Sequence, residues 1–319
     1  MGRVWVEPWS PEYGASYEGA GALAPSEEEV SAHVETKTWA PIKPRAVHRP
    51  ELAFMDGVSR VDARAFLEAG PLTIPGLCGS VGVGAVLVDG AAAFGPTEVR
   101  RAVLFGSGAE GALPPMAGLS YQARSVPGAR PEDLREGLDA FRAEAEAAMA
   151  RRLAQTGGAG RVVIADGPLS LREPLDLVGL IKSHRRSYLD PGLEPVIRAL
   201  AAGERTPLFA FGVIRPRYSW YLRLADHAAP LGQHPWAGIV RLEASASLSL
   251  ARAVRLADIT AAHLPRFASQ AFWDPRAPQN LVPVATLERR LWHLLGDRDL
   301  VLRAIRSALR SGRAGEPVA

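Results

Sequence analysis

Apolar and polar positions along the chain predict a mixed α/β fold. Apolar runs bounded by Gly, Pro or Asp are typical of strands, and an apolar stripe repeating every three or four residues is typical of a helix. The predicted strands cover 52–56, 79–90, 101–105, 118–124, 162–165, 177–181, 208–214, 219–226 and 237–245. The predicted helices cover 131–155, 195–202, 249–263 and 286–309. Between the first two strands, the alternation at 58–66 indicates a hairpin return or a bend.

The first fifty residues lack this patterning and contain six prolines. They predict an irregular N-terminal arm, 1–50, ahead of one domain at 51–319. Trp5, Trp9 and Trp39 in this polar segment indicate that the arm packs on a surface, which is either its own domain or a partner chain.

Composition excludes several classes of protein. The single cysteine, Cys78, rules out a disulfide framework and a cysteine-based zinc site within one chain. No apolar run reaches the roughly 18–20 residues that a membrane helix needs. The start, MGRVWVEPWS, lacks the basic and apolar regions of a signal peptide. We therefore predict a cytoplasmic protein, and a net charge of only +3 does not by itself indicate nucleic acid.

Two buried strands end on a carboxylate. Asp56 follows LAFM at 52–55, and Asp166 follows VVIA at 162–165. Ligands of open α/β sheets bind at the carboxyl ends of strands, and an ionised acid is costly to bury unpaired. The simplest arrangement that satisfies both acids is a shared divalent cation. Oxygen ligands without Cys or clustered His suit Mg²⁺ or Mn²⁺.

The helix predicted at 131–155 supplies two further candidate acids. Glu144 and Glu146 lie on opposite shoulders of its apolar stripe, about 200° apart around the axis, so only one of them can face the strand ends. The long connection at 155–160 stretches the spacing to Asp166 and favours Glu144.

A basic cluster follows the strand predicted at 177–181. It contains Lys182, His184, Arg185 and Arg186, with Tyr188 beside it. Because Lys182 ends an apolar strand, a phosphate contact is as reasonable as a solvated face, and Arg185 and Arg186 are candidates for the same role.

Five motifs in the same order resemble the NurA nuclease family from about residue 50 onwards. They are MDG at 55–57, ADGPL at 165–169, LIKSHRRSYL at 180–189, WYLRL at 220–224 and DPRAPQNLVP at 274–283. The order of strands, helix and carboxylates is also that of the RNase H-like fold. The expected fold is therefore an RNase H-like mixed β-sheet flanked by helices.

The resemblance implies a single-strand endonuclease and 5′–3′ exonuclease that resects DNA ends in double-strand break repair. It implies a homodimer that works with a HerA-type hexameric translocase and uses Mn²⁺ or Mg²⁺, with two ions. By position, Asp56 and Asp166 match the family's first and third carboxylates, and Tyr221 matches its site tyrosine. The helix glutamate falls on Glu144 or Glu146. With Glu144 preferred from the spacing, the predicted metal ligands are Asp56, Glu144 and Asp166.

One departure from the family concerns the C-terminal part. Archaeal members carry a histidine where this chain has Gln279 and Asn280, and neither amide is as good a metal ligand. A weaker second metal, or one held by Asp274, is the expectation.

Two other classes of function stay open at this point. One is a non-catalytic DNA-binding clamp or adaptor subunit of the same motor, which the Gln279-Asn280 departure supports. The other is a different metal-dependent phosphoryl hydrolase, such as a nucleotidase. The basic segment at 182–186 and the absence of a nucleotide-binding loop count against the second.

Overall fold

The computed structural model of the chain describes residues 24–45, 50–158, 160–226, 236–270 and 272–313. The chain divides into two compact units. The first unit contains Met1–Phe54, Val86–Ala93 and Ala150–Thr286. The second unit contains Met55–Ala85, Phe94–Met149 and Leu287–Ala319.

The described residues form a mixed α/β structure with a large sheet flanked by helices, which confirms the predicted fold class. The strands are β1 (Ala24–Pro25), β2 (Val30–Ser31), β3 (Leu52–Ala69), β4 (Leu72–Asp89), β5 (Ala91–Phe105), β6 (Gln122–Ser125), β7 (Val162–Asp166), β8 (Leu177–Ile181), β9 (Arg186–Ser187), β10 (Phe209–Phe211), β11 (Arg217–Arg223) and β12 (Ile239–Ser245). The helices are α1 (Pro131–Thr156), α2 (Glu194–Arg198), α3 (Leu250–His263), α4 (Val282–Leu294) and α5 (Arg298–Arg313), with a 3₁₀ turn at Leu264–Phe267.

In the first unit the strands follow the order β2-β10-β11-β12-β8-β7, and β7 lies beside the start of β3. The pairs formed by β10, β11, β12 and β8 are antiparallel, whereas β7 and β8 are parallel. Val163 and Ile164 are fully buried, as expected for a strand covered on both faces. The Trp220 indole N–H donates to the Thr260 hydroxyl at 3.2 Å and links β11 to α3.

The described part of the predicted arm packs on the first unit. Strand β1 pairs with β9, and β2 pairs with the edge strand β10. Trp39 packs beside the core and donates its indole N–H to the Ala32 carbonyl at 2.8 Å. This contact agrees with an arm that folds onto its own domain; Trp5 and Trp9 lie outside the described residues.

In the second unit the strand order is β3-β4-β5-β6, with β5 and β6 parallel. Helix α1 confirms the prediction for 131–155 and buries its apolar stripe through Leu134, Leu138, Phe141, Ala145 and Met149. The hairpin return or bend predicted at 58–66 is wrong. Those residues continue β3, because their alternation belongs to one 18-residue strand.

The helix predicted at 286–309 is two helices. Gly296 adopts a φ of +81°, which ends the first helical segment, because only glycine takes this conformation without strain. The Asp297 carboxylate then accepts hydrogen bonds from the amides of Asp299 and Leu300, both at 2.9 Å, and caps α5.

Four arginines lie in the interior of the first unit. Arg205, Arg217, Arg223 and Arg241 are each at most 6% exposed. Arg223 donates to the carbonyls of Leu200, Ala237 and Arg198. Burial lowers the pKa of both Arg217 and Arg223 from the ordinary arginine value. These side chains donate hydrogen bonds to backbone carbonyls and carboxylates inside the first unit.

None of the helices in the described part of the chain has the length and apolarity required to cross a membrane.

Candidate active site

Asp166 and Lys182 meet at the carboxyl ends of two parallel strands. Asp166 is the last residue of β7, and Lys182 directly follows β8. The register pairs Asp166 with Leu180, so the two strands end at the same edge of the sheet. The Lys182 ammonium donates to Oδ2 of Asp166 at 2.6 Å. The predicted position of Asp166 at a strand end is therefore observed, with a cationic side chain beside it.

Two residues from the loop before α4 complete this cluster. Lys182 also donates to Oδ1 of Asn280 at 2.9 Å, and Nδ2 of Asn280 donates to Oδ2 of Asp274 at 2.6 Å. Oδ1 of Asp274 accepts from the Arg276 amide at 2.8 Å. We call Asp166, Lys182, Asn280 and Asp274 the Asp166 network.

The Asp166 network is sheltered from water and contains two acids and one base. The side chains of Asp166 and Lys182 are 15% and 11% exposed, and Asn280 is fully buried. Oδ1 of Asp166 is buried and accepts no hydrogen bond from the described residues. A buried carboxylate oxygen in this state is costly unless a cation or a donor contacts it.

A divalent cation fits this oxygen, since Mg²⁺ and Mn²⁺ prefer carboxylate ligands. Within the described ranges, however, no three His, Cys, Asp or Glu residues are grouped so that they could hold a metal ion. Both carboxylate oxygens of Asp274 already accept hydrogen bonds, from the Arg276 amide and the Asn280 side chain. Within the Asp166 network, Oδ1 of Asp166 is thus the carboxylate oxygen that accepts no hydrogen bond from the described residues.

Asp56 and Glu146 are neighbours of Gly57 in the second unit. Asp56, on β3, is 9% exposed, and its Oδ1 accepts the Gly57 amide at 2.7 Å. A Cβ at Gly57 would overlap the Glu146 carboxylate, so this glycine makes the close approach of α1 to β3 possible. Arg142 donates to Oε1 of Glu146 at 2.6 Å, and the Glu146 side chain is 23% exposed.

Glu144, the ligand that we preferred from the spacing to Asp166, lies at the surface. Its side chain is 55% exposed and pairs with Arg124 at 3.1 Å. Gly57, directly after Asp56, leaves room for a carboxylate on the Glu146 shoulder, which the spacing to Asp166 did not take into account. These contacts favour Glu146, and the choice of ligand between the two acids stays a prediction.

Tyr221 lies in the core and not in an accessible site. It is 1% exposed, stacks on Phe209 with ring centroids 5.9 Å apart, and meets Trp236 edge-on at 5.7 Å. Burial raises the pKa of its phenol above the ordinary value. The resemblance implied a site tyrosine at this position, whereas β11 packs Tyr221 against buried aromatic side chains of the first unit.

The basic segment after β8 contains both buried and exposed side chains. Lys182 is bound to Asp166 and Asn280, and its contact with substrate phosphate stays a prediction. His184 is buried, and its Nε2 lies 2.9 Å from the Ile239 carbonyl. Arg185 and Arg186 are exposed, as a contact with substrate phosphate requires.

Asn280 has a part in the site that we did not predict from the sequence. We regarded it as a poor replacement for a metal-binding histidine, whereas its amide links the Lys182 ammonium to the Asp274 carboxylate. A buried asparagine needs internal hydrogen-bond partners, and here they are Lys182 and Asp274.

The fold and these residues define a mixed α/β protein with an acidic, lysine-paired network at the ends of parallel strands. No protein-family model matches the sequence, and no curated protein matches it. The structure is similar to the crystal structure of the NurA nuclease from Sulfolobus solfataricus, with a TM-score of 0.50 and 11% sequence identity. The match covers 88% of this chain and 89% of that one. The resemblance drawn from the motifs is thus confirmed at the level of the fold.

Proposed function

We propose that this protein is a divalent-metal-dependent DNA nuclease whose catalytic centre contains the Asp166 network. The observation that carries the proposal is the Asp166 carboxylate, buried at a strand end. One of its oxygens is bound to Lys182, and the other accepts no hydrogen bond from the residues that the structure describes. The fold shared with a nuclease of the NurA type supports it.

The residues of the network have distinct tasks in phosphodiester hydrolysis. Asp166 would hold Mn²⁺ or Mg²⁺ through Oδ1, and a divalent ion, when bound, supplies charge relief and lowers the pKa of a bound water. Lys182 places a positive charge next to Asp166, where it offsets the negative charge of a phosphate group. Asn280 and Asp274 fix the position of the Lys182 ammonium.

Further parts of the proposal rest on the motif resemblance. The set of Asp56, Glu144 and Asp166 around two ions stays a prediction. The contacts of Glu146 favour Glu146 over Glu144 as the ligand from α1. Arg185 and Arg186 are proposed to hold the DNA backbone, which gives binding that weakens with salt and does not depend on base sequence. Association into a homodimer and with a HerA-type hexameric translocase for DNA end resection completes this proposal.

A cleavage assay tests the proposed function. Supercoiled plasmid and end-labelled single-stranded DNA are incubated with the full-length protein in Mn²⁺, Mg²⁺ or EDTA. We expect cleavage with a divalent ion and none in EDTA. Intact DNA in every condition, at protein concentrations where DNA is bound, would contradict a nuclease.

That contrary result would favour a non-catalytic DNA-binding clamp. A specific observation supports this second candidate: Lys182 already neutralises one oxygen of Asp166, and no three candidate ligands are grouped anywhere among the described residues. Light scattering, alone and with a HerA-type ATPase, tests association separately from cleavage.

A further inference from the structure

Two large aromatic side chains are exposed beside the Asp166 network. Phe272 and Trp273 are 74% and 65% exposed, and their ring centroids lie 4.7 Å apart with an interplanar angle of 57°. Large aromatic rings seldom remain in water together, and adjacent exposed ones are typical of a surface that binds something.

The loop that carries these rings is closed at its base. Ala268 and Leu281 form an antiparallel bridge, and the Ser269 amide donates to the Asn280 carbonyl at 2.9 Å. The amides of Trp273 and Asp274 both donate to the Gln270 carbonyl, at 2.8 and 3.0 Å. The backbone that carries the rings is therefore held in place.

The same loop has an inner and an outer part. Asp274 and Asn280 are buried and belong to the Asp166 network, whereas Phe272 and Trp273 point outward. Trp273 is the residue next to Asp274. The rings are thus linked through Asp274, Asn280 and Lys182 to the carboxylate assigned to catalysis.

We propose that Phe272 and Trp273 form a stacking platform for unpaired bases of a DNA strand whose phosphate backbone reaches Asp166. This inference rests on the proposed function and deepens it, because it names the feature that selects single-stranded DNA. Every base has a flat π-face, so stacking tolerates any sequence. Bases inside a duplex are already stacked and cannot use the platform.

A protein partner explains the rings less well. A stable protein interface buries about 800 Å² on each side, whereas two aromatic side chains offer only about 150–250 Å² each. The position of Trp273, one residue from the buried Asp274, instead suits a substrate that must also reach Asp166.

The test compares Phe272→Ala, Trp273→Ala and the conservative Trp273→Phe with a control, Ile214→Ala. Ile214 is 80% exposed in the same unit, in the connection between β10 and β11. The probes are a fluorescein-labelled oligo(dT) longer than about 16 nucleotides and a blunt hairpin duplex. Affinity is measured by anisotropy in EDTA, so that no cleavage occurs. Cleavage of the single strand by wild type in Mn²⁺ is measured in parallel.

Either alanine substitution on the platform should weaken oligo(dT) binding by about ten-fold, the effect of losing roughly one stacked base. Trp273→Phe should retain most of the affinity, and Ile214→Ala all of it. Duplex affinity should stay the same in every variant. Circular dichroism matching wild type confirms that the exposed substitutions leave the fold intact.

Two results would overturn the inference while the proposed function stands, provided that wild type binds and cuts single strands. One is unchanged oligo(dT) affinity in both alanine variants. The other is loss of self-association, or of binding to a HerA-type ATPase, without loss of DNA affinity, which would assign the rings to a protein contact. If wild type neither binds nor cuts DNA, the proposed function fails and the inference fails with it.

Discussion

Glu35 tests how firmly the described part of the N-terminal arm is fixed to the first unit. Its carboxylate accepts two hydrogen bonds from the Arg205 guanidinium, both at 2.9 Å, and a third from the Leu208 amide at 2.7 Å. Arg205 is 1% exposed and also donates to Asp258 at 2.8 Å. Substitution Glu35→Ala therefore leaves a buried guanidinium with one carboxylate in place of two.

Breaking a buried ion pair by removing one partner costs about 3–5 kcal/mol, because the remaining charge stays buried. Asp258 still balances part of the Arg205 charge, so the expected loss is about 3 kcal/mol. The chain contains a matched control. Arg151 also binds both carboxylate oxygens of Glu173, through Nε and Nη2 and with a shortest distance of 2.9 Å, but both side chains are more than 40% exposed.

Urea unfolding followed by circular dichroism measures both variants against wild type. Glu35→Ala should lower the midpoint clearly, and Glu173→Ala should leave it within experimental error, because water solvates and screens an exposed pair. Equal midpoints for the two variants would show that burial does not set the contribution of these ion pairs to the free energy of unfolding.

Three other predictions concern single side chains. Burial, with a smaller contribution from the charge of Asp62, raises the pKa of Cys78 to about 12; the protonated thiol should therefore resist iodoacetamide at pH 9 in the native protein and react once urea unfolds it. Glu146→Ala should abolish Mn²⁺-dependent DNA cleavage and Glu144→Ala should retain it, and the reverse result in a gel assay would restore the choice made from spacing. Tyr221→Phe should cleave DNA at the wild-type rate because the ring is core, so a loss of ten-fold or more without unfolding would return this residue to the site.

Local patterns predicted most elements because each depends on nearby residues. Helix α1 has a proline at its first position, acids in its first turn and a regular apolar stripe, and its bounds agree to one residue. Strand β8 is an apolar run with clear limits, and its predicted range is the observed one. The prediction for β3 ended too early. Polar residues in the middle of a long strand cannot be told from a turn by sequence until the paired strands are known.

The site depended more on contacts between distant segments. Asp166 was visible as an acid at the end of an apolar run, but its partner Asn280 lies 114 positions further along the chain. The preference for Glu146 over Glu144 comes from Gly57, which lies on β3 and not on the helix that carries the two acids. Tyr221 was assigned from its motif, and burial, which decides its role, is set by Phe209 and Trp236 from other parts of the first unit.

The Asp166→Asn variant tests whether the Asp166 carboxylate acts in DNA cleavage. The substitution keeps the size of the side chain and a partner for Lys182, but it removes the negative charge that would hold a divalent cation. The proposal predicts that wild type degrades end-labelled single-stranded DNA in Mn²⁺, while purified Asp166→Asn leaves it intact yet still binds it in EDTA. Cleavage by Asp166→Asn at the wild-type rate would contradict the assignment of this carboxylate to catalysis.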